Sequence, residues 1–137
     1  MSQKHLLWLE QAERDLEVAK YCLRGGFYEW TCFCSQEAAV KAIKSVLKKA
    51  NKESWRHSVT NLLDVLTTVI EVPEELYASA EILDRHYVSA RYPAAHHSSP
   101  PYKVYTAEMA EEAISTAEHI IKFSKEALQK LEAGAQR

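Results

Sequence analysis

No run of apolar residues in this sequence approaches the roughly 20 that a helix needs to cross a bilayer. The N-terminal Met1-Ser2-Gln3-Lys4-His5 leads into an amphipathic pattern, with no continuous apolar stretch of the kind a secretion signal carries. No membrane association is expected, and the expected compartment is the cytosol. Charge of one sign is missing as well: 17 Lys and Arg against 19 Asp and Glu leave a formal net charge of -2. No global basic field therefore draws nucleic acid, and any nucleic-acid site has to be local. Cysteine is scarce. Cys22, Cys32 and Cys34 are odd in number and lie in helical, apolar surroundings, which excludes a disulfide scaffold and reads as reduced thiols. Cys32 and Cys34 would point about 200° apart around a helix. With no second pair to complete a tetrahedral set, they read as core, and neither a metal nor a cofactor is expected. Strand alternation bounded by hairpin turns is absent, and so is any repeat.

What is present is a globular balance of 47% apolar and 26% charged residues, which a disordered chain does not have. A length of 137 residues fits one domain, residues 1–137, with 133–137 as a frayed tail. Helical periodicity accounts for most of it. Leu6, Leu9, Ala12, Leu16, Ala19 and Leu23 form the stripe of a first helix, from Gln3 to Arg24, which Gly25-Gly26 ends. A second runs from Tyr28 to Ala50, with Trp30, Phe33, Ala39, Ile43 and Leu47 apolar. Its cationic end, Lys44, Lys48 and Lys49, suits the negative end of the helix dipole. This reads as a solvated helix end, with a phosphate-binding patch as the sharper alternative. His57-Ser58 opens a shorter third helix, and the histidine there reads as structural. Pro73-Glu74-Glu75 opens a fourth that stops near Arg91, because Pro93 disfavours helical geometry before it. The chain is then irregular until Thr106, the N-cap of a last helix from Ala107 to Glu132 that Gly134 closes. The fold class that follows is all-α, an antiparallel up-and-down bundle of four long helices plus a shorter one.

The break between the last two helices, about 14 residues, is long for a compact bundle, and such loops tend to carry function. It holds Arg91, Tyr92, His96, His97, Tyr102, Lys103 and Tyr105. Four residues separate Arg91 from His96. A guanidinium holds a phosphate through two parallel hydrogen bonds, and an imidazole moves protons near neutral pH, so the pair suits RNA cleavage without a metal. Arg91 and His96 are the candidate catalytic residues, with His97 second to His96. Tyr92, Tyr102 and Lys103 are the candidate ligand-binding residues. Against this stand plainer readings: Arg91 as a cation capping helix carbonyls, and His96 as a solvated loop side chain. Tyr87 is expected in the core. Asp84 either pairs with an arginine or faces solvent. His86, His96, His97 and His119 show no helical i, i+4 pair and no neighbouring carboxylate set that supports metal geometry, so they are not expected to gather round a metal.

The same residues sit in a wider pattern. The run Trp8-Leu9-Glu10-Gln11-Ala12 with Asp15-Leu16 precedes Cys34-Ser35-Gln36-Glu37-Ala38-Ala39-Val40-Lys41-Ala42-Ile43-Lys44. A His57-led helix with Leu62-Leu63 follows, and then Leu83-Asp84-Arg85-His86-Tyr87-Val88-Ser89-Ala90-Arg91-Tyr92-Pro93. In this order the chain resembles the HEPN family of small helical domains over nearly its whole length, the Arg-Tyr-Pro ending being the most specific match. The resemblance implies a bundle that forms homodimers, bringing two arginine-to-histidine segments to one cleft. It implies either a metal-independent RNase of the toxin type, paired with a minimal nucleotidyltransferase, or a module that binds nucleotides or partners without catalysis. The chain departs from the family pattern twice. Val40 stands where active relatives commonly carry an acid. Ser98 follows His96, and Ser99 follows His97, at the spacing where the nucleotidyltransferase-paired group has a tyrosine.

Overall fold

A computed structural model of the chain describes residues 3–93 and 99–135. Among the described residues the ordered elements are all helical: α1 (Lys4–Gly25), α2 (Tyr28–Lys49), α3 (Val59–Leu66), α4 (Glu75–Asp84), α5 (His86–Ser89), α6 (Pro101–Val104) and α7 (Ala107–Ala135). The expected all-α bundle is what the chain forms. None of the described helices is long and apolar enough to cross a membrane.

The helix ends follow from local chemistry. Gly26 takes φ 81 after α1. Its N–H donates to the Leu23 carbonyl at 3.1 Å and the Phe27 N–H to the Cys22 carbonyl at 2.8 Å, the paired bonds of a left-handed helix end. Thr106 caps α7, its hydroxyl accepting from the Met109 N–H at 3.2 Å. Three ends differ from expectation. The fourth helix is interrupted at Arg85, where the N–H bond to the Glu81 carbonyl stretches to 3.4 Å. The Ser89 hydroxyl donates to the Arg85 carbonyl at 2.7 Å, and back-bonding of this kind bends helices. The stretch before Thr106 holds the single turn α6, which Pro101 opens from the first helical position, where a missing N–H is harmless. Gly134 does not close α7: it lacks the positive φ that Gly26 has, and the helix continues through it to Ala135, taking in residues 133–135 of the expected tail.

α2 is the centre of the bundle. It packs along α1 and α7 and touches α3, α4, α5 and α6, which is why so much of its surface is buried. Ile43 and Leu47 from α2, Leu62, Leu63 and Leu66 from α3, Leu83 from α4 and Ile120 from α7 meet in the main core. The α1 and α2 seam is built of small side chains, Ala12, Ala38 and Ala42, with Leu16 and Ile121 beside them. Lys41 closes its edge, donating to Asp15 at 2.6 Å and to Glu37 at 3.3 Å. Cys32 is in the core, as expected of a reduced thiol, and burial pushes it up to about 12.

Candidate functional site

α5 ends at Ser89, and Arg91 leaves the helix with its side chain turned back along it. Its Nε donates to the Tyr87 carbonyl at 2.8 Å, so the carbonyl-capping role is filled. The guanidinium carbon lies 4.5 Å from the ring centre of Phe33, 4.6 Å from that of Tyr87 and 5.0 Å from that of Tyr92. Three aromatic faces attract the cation while the single bond from Nε fixes its orientation. Among the described residues no carboxylate pairs with Arg91. Its charge is positioned without being neutralised.

Tyr87 is half-buried, not a core residue. Leu83, His86 and Ala90 take the inward positions around the Arg85 interruption, and this leaves Tyr87 on the flank. There it links a chain of rings: His57 stacks on it at 5.7 Å and 14°, and Phe33 lies 6.3 Å away on the other side and meets Trp30 edge-on. Tyr92 is half exposed and packs against the Arg91 guanidinium. Tyr102 and Lys103 make no such contact among the described residues. They sit on α6, the Lys103 ammonium 5.9 Å from the Tyr102 ring, and no hydrogen bond, ion pair or ring contact among the described residues joins them to Arg91. His96 and His97 lie outside the described residues.

Asp84 is half-buried and, among the described residues, pairs with no arginine. One carboxylate oxygen accepts from the Val59 N–H at 2.8 Å, the other from the Thr60 N–H at 3.0 Å and the Ser58 hydroxyl at 2.9 Å. The charge therefore sits on the positive end of α3 and satisfies its first free donors. Gln36 ties this cap to α2: its buried amide donates to the His57 carbonyl at 2.6 Å and to Asp84 at 3.3 Å. The His57 ring is exposed, and its backbone carbonyl is what serves the structure.

Two residues that the sequence reading named have surroundings it did not indicate. His86 is buried, its Nδ1 2.9 Å from the Tyr105 hydroxyl, which is itself 2.6 Å from the Ser89 hydroxyl. Burial, helped by the charge of Arg85, holds His86 down to about 4, so it is neutral at physiological pH. The other is Lys44, discussed below. Among the described residues no group of histidines, cysteines or carboxylates could hold a metal, and His86 and His119 sit apart, buried and exposed. Val40 is a core residue.

The sequence from residue 5 to residue 128 matches the family described as HEPN domain. The chain belongs to the HEPN domain family. This HEPN domain is 30% identical over 131 residues to "Putative toxin MJ1304" of Methanocaldococcus jannaschii, a match covering 89% of this chain and 86% of the relative. Its fold is similar to that of TT1696 from Thermus thermophilus, with a TM-score of 0.89 and 38% identity over 92% of this chain and 99% of that one. It is similar also to ST0689, an archaeal HEPN homologue, at 0.78 and 36%, covering 93% of this chain and 99% of that one. A HEPN domain protein from Thermotoga maritima, tm0613, matches at 0.72 and 38%, covering 89% and 97% of the two chains.

Proposed function

We propose that this HEPN domain is the toxin-type member of a pair with a minimal nucleotidyltransferase, and that it cleaves RNA without a metal at a homodimer cleft. The observation that carries this reading is the Arg91 guanidinium, oriented by the Tyr87 carbonyl, caged by Phe33, Tyr87 and Tyr92, and without a carboxylate partner among the described residues. Held in this way, a guanidinium can bind the scissile phosphate and stabilise the charge that builds on it in the transition state.

In the reaction, His96 takes the proton of the ribose 2′-hydroxyl. The 2′-oxygen forms a bond to phosphorus while the bond to the 5′-oxygen breaks. The leaving 5′-oxygen takes a proton from the protonated histidine of the second copy, and the products are a 2′,3′-cyclic phosphate and a 5′-hydroxyl. Val88 on α5 and Tyr92 beside Arg91 are exposed apolar side chains, which supports self-association at this site. Purified protein incubated with total RNA, beside Arg91→Ala and His96→Ala variants, tests the reading. Wild type should yield cyclic-phosphate ends and each variant at least about 100-fold fewer. Equal cleavage by all three, or none by wild type, would sink it. Light scattering at micromolar concentration should give the mass of a dimer.

A second reading, a module that binds nucleotides or docks the nucleotidyltransferase without catalysis, draws support from Val40, buried in the core where active members commonly carry an acid. It expects a nucleotide-dependent rise in Tm with no cleaved RNA.

A further inference from the structure

α1 and α2 form a second cluster of cations and aromatic rings where the second helix ends. A cavity of about 290 Å³ there is lined by Trp8, Lys44, Lys48, Lys52, Trp55 and His57, among others. Lys44 and Lys48 stand one turn apart on α2, each with its ammonium 5.6 Å from the Trp8 ring centre. Lys44 was expected to be part of a solvated helix end, yet only 8% of it is exposed. Among the described residues its ammonium makes no hydrogen bond or ion pair. The nearby carboxylates are committed elsewhere: Asp15 and Glu37 to Lys41, and Glu53 to Lys48 at 3.0 Å. Lys44 lies on the cavity wall, where an anionic ligand can supply the partner that the neighbouring carboxylates do not. Burial holds Lys44 below its ordinary range; Glu37 raises it, while the charges of Lys41 and Lys48 lower it further. Trp55, also on the cavity wall, is 87% exposed, a large indole left in water.

We propose that this cavity is a subsite for one nucleotide unit of single-stranded RNA, the base stacking on Trp55 and the phosphate held by Lys44, Lys48 and Lys52. Cations alone would suit any anion, and the exposed indole adds a preference for a flat aromatic one. The lysines outnumber Glu53, so the cavity keeps a positive balance. The volume is near the lower end for small-molecule sites and fits a single unit. His57 gives direction to the strand. It lines this cavity and also a second groove, of about 440 Å³, with Arg56, Arg85, Tyr87 and Val88. Its ring stacks on Tyr87, against which Arg91 rests. A strand anchored at Trp55 and crossing His57 leads to the phosphate-holding arginine. That last step rests on the RNA-cleaving reading of Arg91, whereas nucleotide binding at Trp55 does not.

The test measures binding separately from cleavage. A labelled 2′-deoxy oligoadenylate cannot be cut at a 2′-hydroxyl, and its anisotropy reports affinity for the intact protein. Trp55→Ala should weaken binding at least about fivefold, and Lys44→Gln should lower the slope of log affinity against log salt by about 0.7. Trp55 and Lys52 are exposed, so Trp55→Ala and Lys52→Ala carry the test if Lys44→Gln does not fold. Wild-type affinity in these variants overturns the subsite. Calorimetry with AMP and with inorganic phosphate separates the sources of the ligand. Phosphate binding as tightly as AMP refutes base stacking, and AMP binding as tightly as the oligonucleotide refutes a strand. Loss of RNA cleavage in Arg91→Ala, with unchanged oligonucleotide binding in Trp55→Ala, fails the subsite alone. Trp55-dependent binding by a wild type that cuts no RNA fails the cleavage reading alone.

Discussion

Arg91 is held by shape as much as by charge. Its planar guanidinium lies within 5.0 Å of three ring centres and gives one N–H to the Tyr87 carbonyl. A lysine would keep the charge and lose the fork, the planar packing and the fixed orientation. Arg91→Lys should therefore lower RNA cleavage at least about tenfold. Denaturant midpoints, measured in parallel, should move much less than activity does. Asp84 acts at the same scale but on stability. Asp84→Asn keeps the size of the side chain but withdraws the negative charge from the Val59 and Thr60 N–H groups, and it should cost about 1 to 2 kcal/mol in urea unfolding. Asp84 was ambiguous in the sequence because its partners, Ser58, Val59, Thr60 and Gln36, are at least 24 positions away. No local pattern announces such a cap.

Helices end where the backbone or a side chain supplies what the next residue cannot. After α1 the decisive feature is the positive φ of Gly26, and a Cβ added there would meet nothing within 4 Å. The strain of Gly26→Ala is then purely that of the backbone, about 1 to 2 kcal/mol, while Gly26→Asn should lose less because asparagine tolerates this conformation. Thermal unfolding of the pair checks the order. This helix end was legible from Gly25-Gly26, and so was the Thr106 cap. The interruption at Arg85 was not. It depends on the Ser89 hydroxyl reaching back to a carbonyl, with Tyr105 and His86 packed behind it. Apolar spacing carries through the interruption unchanged, so periodicity reads one helix where α4 and α5 stand.

The whole molecule titrates through what its core encloses. Burial holds the folded-state pKa of His86 at about 4, against an ordinary value of 6.5, with Arg85 contributing. Between these values the unfolded chain binds a proton that the folded chain refuses. Stability should therefore be highest above pH 6.5 and fall as the pH is lowered toward 4, by up to about 3 kcal/mol from this residue. His86→Gln, compared with wild type in urea titrations across that range, should flatten the dependence; equal slopes would show that His86 is not its source. His5, also lowered, chiefly by burial, adds to the trend in both proteins and cancels in the comparison.

Periodicity, the glycine pair, the proline before the last helices and the order of motifs determined an all-helical HEPN domain and drew attention to Arg91 and Tyr92. These are local signals, carried by residues within a few turns of one another. Tertiary structure alone decided what surrounds Arg91, because Phe33 comes from α2 and Tyr87 from α5. It also set the Lys103 ammonium beside the Tyr102 ring on α6. In the same way it turned an apparently solvated lysine run into a cavity, since Trp8 arrives from α1 to cover Lys44 and Lys48 while the link after α2 presents Trp55. Side chains far apart in the chain meet only once the helices pack, and the chemistry of both sites depends on those meetings.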